Sequence, residues 1–249
     1  MKYGLCNLSL VPLRFEASDR SEMVSQVLYG ETFKVLDQRK KWSRIRLHYD
    51  SYEGYIDNLQ YLEISEEDFK ALNDLPRALS SDLVNIITRG DDQMIAISIG
   101  SNVAVSDFLN HQYEGHKVES ILPKSAIVET ALLYLNAPYL WGGKSPFGID
   151  CSGFTQMVYK LCGYELLRDA SQQATQGEAL SFIEESEPGD LVFFDNEEGN
   201  IIHVGIIMED HHIIHAHGKV RIDRLDHSGI FNREKRSHTH KLRVIKRIA

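Results

Sequence analysis

Along this chain the hydrophobic and polar positions alternate in two different periods. Across residues 10–62 the apolar positions fall in short runs with turn residues between them, predicting strands at 26–28, 32–36, 42–48 and 54–57. In Arg44-Ile45-Arg46-Leu47-His48 the alternation is complete, so Ile45 and Leu47 point inward and the basic residues outward. A small β-barrel is expected there. The period then changes to that of a helix over 65–75, with Ser65 as its N-cap, three acidic residues in the first turn and Pro76 as its stop. Strands at 94–99 and 103–105 flank Gly100-Ser101-Asn102 as a predicted hairpin, in a second small β-rich unit.

Beyond residue 120 the order changes. Ser125 is placed to cap a helix with Ile127, Ala131, Tyr134 and Leu135 on one face, ended by Pro138. Phe154, Met157, Val158 and Leu161 recur at helical spacing, so Cys151 lies in the first turn of a helix that Gly163 can terminate. Strands follow at 191–194, 203–208, 212–215 and 242–248. A helix pair followed by an antiparallel sheet predicts an α+β layout. The expected organisation is therefore 1–63, 64–120 and 121–249.

The chemistry sits in the last segment. A cysteine at a loop-to-helix junction faces unpaired backbone N–H groups and the positive end of the helix macrodipole, which predicts a lowered thiol pKa. His203, on an apolar strand about fifty residues later, reads as the base for a Cys151 nucleophile. His215, on the strand predicted at 212–215, is placed to orient it.

Three blocks, Tyr139-Leu140-Trp141-Gly142-Gly143, Asp150-Cys151-Ser152-Gly153-Phe154 and His203-Val204-Gly205-Ile206, together resemble the NlpC family of papain-like cysteine peptidases. Those enzymes cut bacterial cell-wall peptides. Leu28-Tyr29-Gly30-Glu31, the strand with Trp42, and Tyr52-Glu53-Gly54-Tyr55-Ile56 resemble a bacterial SH3 domain. The first resemblance implies a papain-like fold of helices on an antiparallel sheet, with Cys151, His203 and His215 catalytic and the Cys151 N–H and the Tyr139 hydroxyl as oxyanion donors. The pairing of the two domains resembles recycling enzymes that cleave γ-D-glutamyl-diamino acid bonds in murein peptides with a free N-terminal L-alanine. That likeness implies that Glu31 and Tyr52, with Asp150, Ser152 and Ser171, enclose the substrate amine, and that the partner is a murein-derived peptide. An exported hydrolase of intact wall and a non-catalytic wall-binding module are the alternatives.

Composition narrows the field. A net charge of −9 over 249 residues argues against a general nucleic-acid binder. The tail is locally basic, and Arg233, Lys235, Arg236, Lys241, Arg243, Lys246 and Arg247 form either a solvated surface or a face for an acidic substrate. Three cysteines without a short-spaced metal motif fit a reducing compartment, with Cys6 and Cys162 as buried apolar residues. No signal-peptide core and no membrane-length apolar run is found, so a cytoplasmic location without a membrane partner is expected. No cofactor is called for. His211, His212, His215 and His217 are an alternative zinc set, but strand alternation puts His212 opposite the others and no metal is expected.

Overall fold

The computed structural model describes residues 2–232 and 234–249, in two units, Met1–Ser120 and Ile121–Ala249. Strands outnumber helices among these residues, so the chain as a whole is not clearly the α+β protein expected from its pattern.

In the first unit β1 (Lys2–Leu5), β2 (Leu10–Arg14), β3 (Met23–Leu28), β4 (Thr32–Gln38), β5 (Trp42–Leu47), β6 (Glu53–Asp57) and β7 (Leu62–Ile64) form one sheet in the order β3-β2-β6-β5-β4-β1-β7. Ile45 and Leu47 are buried while Arg44 and Arg46 reach solvent, where both bind Glu53. Val11, Leu13, Val27, Phe33 and Ile56 complete that core. Helix α1 (Glu66–Asn73) begins with a full capping box between Ser65 and Asp68.

The rest of this unit is β8 (Leu79–Ser80), β9 (Val84–Arg89), β10 (Met94–Ser98), β11 (His111–Tyr113) and β12 (Lys117–Val118). The predicted hairpin around Gly100-Ser101-Asn102 does not form. Residues Val103–Val105 make a 3₁₀ turn, because the Asn102 side chain accepts the Ala104 N–H at 3.2 Å and caps a turn instead of entering a ladder. Strand β10 pairs back with β9, through Met94 opposite Thr88 and Ala96 opposite Ile86. Ile87, Ile97, Val103 and Val105 share one core with Tyr3, Leu5, Tyr29 and Ile64, so the later segment packs on the first sheet.

The second unit runs α2 (Ala126–Leu132), β13 (Lys144–Ser145), β14 (Gly148–Ile149), α3 (Cys151–Cys162), α4 (Ala170–Gln173), β15 (Glu178–Leu180), β16 (Leu191–Asp195), β17 (Ile201–Met208), β18 (His212–His217), β19 (Lys219–Asp226), β20 (Gly229–Asn232) and β21 (Ser237–Arg247). Helix α2 stops at Leu132, well before Pro138, and Leu135 is exposed rather than on the buried face with Ile127, Ala131 and Tyr134. The chain there leaves the helix through successive turns, and Asn136 adopts a φ of 70°. Ser125 makes no side-chain cap.

The antiparallel sheet expected after the helices closes into a barrel. Strands β21, β16, β17, β18, β19 and β20 pair in sequence, and β20 pairs again with β21, while β15 lies against β21. Closure depends on the 11 residues of β21, of which residues 237–241 pair with β20 and 241–246 with β16. Register shifts at Phe193/Phe194 and Ile230/Phe231 supply the bends. Closing the ladder leaves no unpaired edge on β20. Val192, Phe194, Ile207, Ile213, Leu225, Ile230 and Ile245 pack together as its apolar core.

Helix α3 is buried along its whole length, including all four residues of the predicted stripe. It packs against β17 and α2. Gly163 closes it in the left-handed conformation at φ 92°, where an added Cβ would lie 3.0 Å from the Ile121 backbone. Gly163→Ala should therefore lower unfolding free energy by about 1–2 kcal/mol, read from a denaturant midpoint shift at constant slope.

Candidate active site

The candidate nucleophile, Cys151, is positioned by its neighbour. Asp150 is the N-cap of α3, and its Oδ1 accepts the Gly153 N–H at 2.6 Å. Its Oδ2 accepts the Gly142 N–H at 2.8 Å, which ties the Trp141-Gly142-Gly143 loop to the helix start. Arg168 grips both oxygens of the same carboxylate, Nη1 to Oδ1 at 3.0 Å and Nη2 to Oδ2 at 2.7 Å. The Arg168 Nη1 also donates to the Ser152 Oγ at 3.0 Å. Arg168 is 1% exposed and Asp150 6%, so this is a buried, bidentate, fully hydrogen-bonded ion pair. Gln173 donates to the Ser152 carbonyl at 2.9 Å and fixes the other side of the turn.

Cys151 sits 7% exposed at the first position of α3, where its backbone N–H has no intrahelical acceptor. Its sulfur is in hydrogen-bonding reach of the backbone of Val204, the residue after His203 in the middle of β17. His203 Nε2 lies 2.8 Å from His215 Nδ1, and His215 Nε2 lies 3.1 Å from Asp223 Oδ2. Arg221 Nη2 donates to Asp223 Oδ1 at 3.0 Å. His203, His215 and Asp223 are thus linked in one hydrogen-bonded chain within the second unit, with Cys151 beside the strand that carries His203. Gly205 makes the approach of the two histidines possible: a Cβ there would stand 2.9 Å from His215 Cβ and 2.6 Å from the Ile213 side chain.

Two further imidazoles surround the pair. His240, on the closing strand β21, stacks on His203 with ring centroids 4.3 Å apart, and His217 stands edge-on to His240 at 4.9 Å. Phe194, from the barrel core, contacts both His203 and His240. Among the described residues no three His, Cys, Asp or Glu side chains converge as metal ligands. His211 lies in an exposed turn, and His212 is on the opposite face of β18 from His215 and His217.

Burial decides the ionisation. It pushes the Cys151 thiol up to about 12, and the Asp150 carboxylate adds to the rise, against the Val204 and Ser152 backbone and Arg168. The lowered thiol pKa expected from the helix start is therefore reversed, since desolvation of a thiolate at a buried position outweighs the helix end. Burial also holds His203 well below 6.5, with repulsion from His215, His240 and His217 in support. His215 is lowered too, mainly by burial, although Asp223 opposes it. The resting pair is a neutral thiol and a neutral imidazole. A neutral imidazole is able to take the proton of a thiol as its sulfur attacks.

Tyr139 is held above the ordinary phenol range by burial and by Cys151 and Asp150, so its hydroxyl stays protonated and able to donate beside the nucleophile. Ser152 is buried and accepts from Arg168; Ser171 is exposed on the short helix α4. Glu31 and Tyr52 belong to the first unit, where Glu31 Oε2 accepts the Leu28 N–H at 2.9 Å and Tyr52 packs on the sheet core. Of the basic tail, Arg247 pairs with Asp190 and Arg243 with Asp195, while Arg233 lies outside the described residues. Arg168, Asp223 and His240 were not singled out in the sequence. Only Asp223 carried a local signal, its alternation with Arg221 on one strand face.

Residues 136–238 match the profile of the NlpC/P60 family, and residues 13–59 that of the bacterial dipeptidyl-peptidase SH3 domain. The γ-D-glutamyl-L-lysine dipeptidyl-peptidase of Bacillus subtilis (strain 168) is 42% identical over 92 residues, which are 36% of this chain and 31% of that protein. Dipeptidyl-peptidase 6 of Lysinibacillus sphaericus is 26% identical over 240 residues, 83% of this chain and 85% of the relative. The crystal structure of an NlpC/P60 family protein from Bacillus cereus ATCC 10987 superposes with a TM-score of 0.81 over 99% of both chains at 19% identity, which establishes the shared fold.

Two outcomes are expected from this geometry. Arg168→Met strands the Asp150 carboxylate in the interior and should cost about 3–5 kcal/mol of stability, measured by denaturant unfolding. The second concerns pH. A base whose pKa is lowered stays unprotonated further into acid, so the acid limb of kcat/KM should lie below pH 6.5, and a limb at or above that value would contradict a buried neutral His203.

Proposed function

We propose that this chain, an NlpC/P60 cysteine peptidase joined to a bacterial dipeptidyl-peptidase SH3 domain, hydrolyses the γ-D-glutamyl-diamino acid bond of murein peptides that carry a free N-terminal L-alanine, in peptidoglycan recycling. The observation that carries this reading is the hydrogen-bonded pair of His203 and His215, with Cys151 at the start of α3 in reach of the Val204 backbone, inside a segment that matches that family. The dipeptidyl-peptidase names of the relatives support the bond and the substrate end.

In the reaction His203 accepts the Cys151 proton while the sulfur attacks the scissile carbonyl carbon. His203 Nε2 is committed to His215, which leaves Nδ1 for the thiol. The oxyanion is met by the Cys151 N–H and the Tyr139 hydroxyl. The tetrahedral species then collapses to a thioester as His203 returns the proton to the leaving amine. Water, deprotonated by the same imidazole, releases the acid and restores the thiol. The helices against the barrel, with the nucleophile at a helix start and the base on a strand, support a papain-like arrangement in the second unit.

Glu31, Tyr52, Asp150, Ser152 and Ser171 are the proposed contacts of the substrate ammonium. Asp150 enters with its charge already balanced by Arg168, so Glu31→Gln is the variant that tests recognition of the amine charge. N-acetylating the terminal alanine removes that charge, and stranding the polar groups meant for it costs about 1–3 kcal/mol. The free peptide should therefore be cleaved at least about tenfold better in kcat/KM than its acetylated form, with Glu31→Gln narrowing the gap and Cys151→Ser inert throughout. Products are identified by mass. Equal cleavage of both peptides, or efficient solubilisation of intact sacculi, would reject the closed amine site in favour of a wall-cutting enzyme.

A further inference from the structure

Asp223 lies outside the Cys151, His203, His215 chain that the sequence predicts, yet it is 2% exposed and touches the far nitrogen of His215. A carboxylate only accepts hydrogen bonds, so the group facing it must be an N–H. Arg221 binds the same carboxylate through Nη2 at 3.0 Å, with Nε 2.8 Å from Oδ2 but not aligned as a hydrogen bond; although burial raises the Asp223 pKa, the hydrogen bonds from His215 and Arg221 together lower it, so it stays ionised. His215 must therefore carry its single proton on Nε2 and present a bare Nδ1 toward His203. With an acceptor 2.8 Å away, His203 must in turn carry its proton on Nε2. The nitrogen left without a proton is His203 Nδ1, the one that has to take the proton from the thiol.

We infer that Asp223 is a positioning residue that fixes the tautomers of both histidines in turn, so that His203 rests with its basic nitrogen toward Cys151. The effect passes through two imidazoles, and its direction is set at one end by a buried acceptor. Burial opposes a second proton on His215 and outweighs Asp223, which favours one, with His217 and Arg221 in support. The inference rests on the cysteine-peptidase chemistry of the site and not on the choice of peptide.

Asp223→Asn separates this role from mere packing. The amide is nearly isosteric, and since Arg221 hydrogen-bonds the carboxylate through Nη2 at Oδ1 and not through Nε, the amide oxygen takes the Oδ1 place and the NH₂ turns toward His215 Nε2. His215 must then accept at Nε2 and donate from Nδ1, which forces the His203 proton onto Nδ1 and removes the base. The same exchange in a Ser-His-Asp triad costs about 10⁴ in kcat through the wrong tautomer. A loss of about 10²–10⁴ in kcat at little-changed KM is expected here, where a second ring relays the effect. Asp223→Ala imposes no donor and leaves both tautomers open, so it should lose less activity than Asp223→Asn. A purely structural aspartate would give the opposite order, with the isosteric amide the milder change.

The resting protein supplies a test independent of any substrate. Nitrogen-15 shifts of the imidazoles should show Nε2–H and bare Nδ1 for both His203 and His215 in the wild type, and the reverse in Asp223→Asn. A wild-type His203 protonated on Nδ1 would overturn the inference, as would an Asn variant that keeps wild-type kcat or is milder than Ala. If no murein peptide is cleaved but the wild-type tautomers are as stated, the substrate assignment fails and this inference stands.

Discussion

The buried pair of Arg168 with Asp150 is the interaction on which the rest of the site depends. A single carboxylate caps α3, holds the Gly142 loop, anchors Ser152 through the shared guanidinium, and so fixes the residue between, the nucleophile. Taking such a carboxylate out of water costs several kcal/mol per ion, and the cost is met only because every oxygen has more than one donor. Lysine could supply the charge but not the two parallel bonds. The ion pair therefore gives positional accuracy, and the helix start that carries Cys151 is rigid because its cap cannot move without stranding a charge.

The same dryness sets the chemistry. Burial favours the neutral form of every group near the reacting sulfur, which raises the thiol and lowers His203, His215 and His240 together. A site of this kind does not store a thiolate. It stores orientation: a neutral imidazole whose accepting nitrogen is already aimed, so that charge appears only as the bond to carbon forms. The low dielectric that disfavours resting charge also strengthens the hydrogen bonds that meet the transient one. Preorganisation at the histidines and preorganisation at the helix start are two results of one condition.

What could be seen in the sequence, and what could not, follows from the range of the interactions. The stripe of α3, its Gly163 stop and the N-cap at Ser65 are local, and each was legible because its partners lie within a few residues. Cys151, His203 and His215 could be picked out by residue type and setting. Arg168 could not: its partner is 18 residues back, and a lone arginine before a short helix looks like surface. His240 escaped for a different reason. It reaches His203 only because β21 closes the barrel, and closure is a property of pairings that an alternating pattern does not specify. The turn at Val103–Val105 was misread as a strand because its two valines favour strands while Asn102 beside them favours a cap.

The candidate catalytic set, from Asp150 and Arg168 to Asp223, lies wholly within Ile121–Ala249. Nothing in that set depends on which amide is cut, since a thiol, an aimed imidazole and two oxyanion donors serve any acyl transfer. Selectivity must therefore come from groups that meet the substrate away from the reacting carbonyl. A free amine is a demanding feature to select for, because a site built around an ammonium ion pays heavily when the ion is missing. The machinery in the second unit thus fixes the reaction, and the difference between a recycling enzyme and a wall-cutting one reduces to whether carboxylate and hydroxyl groups wait at the amine end.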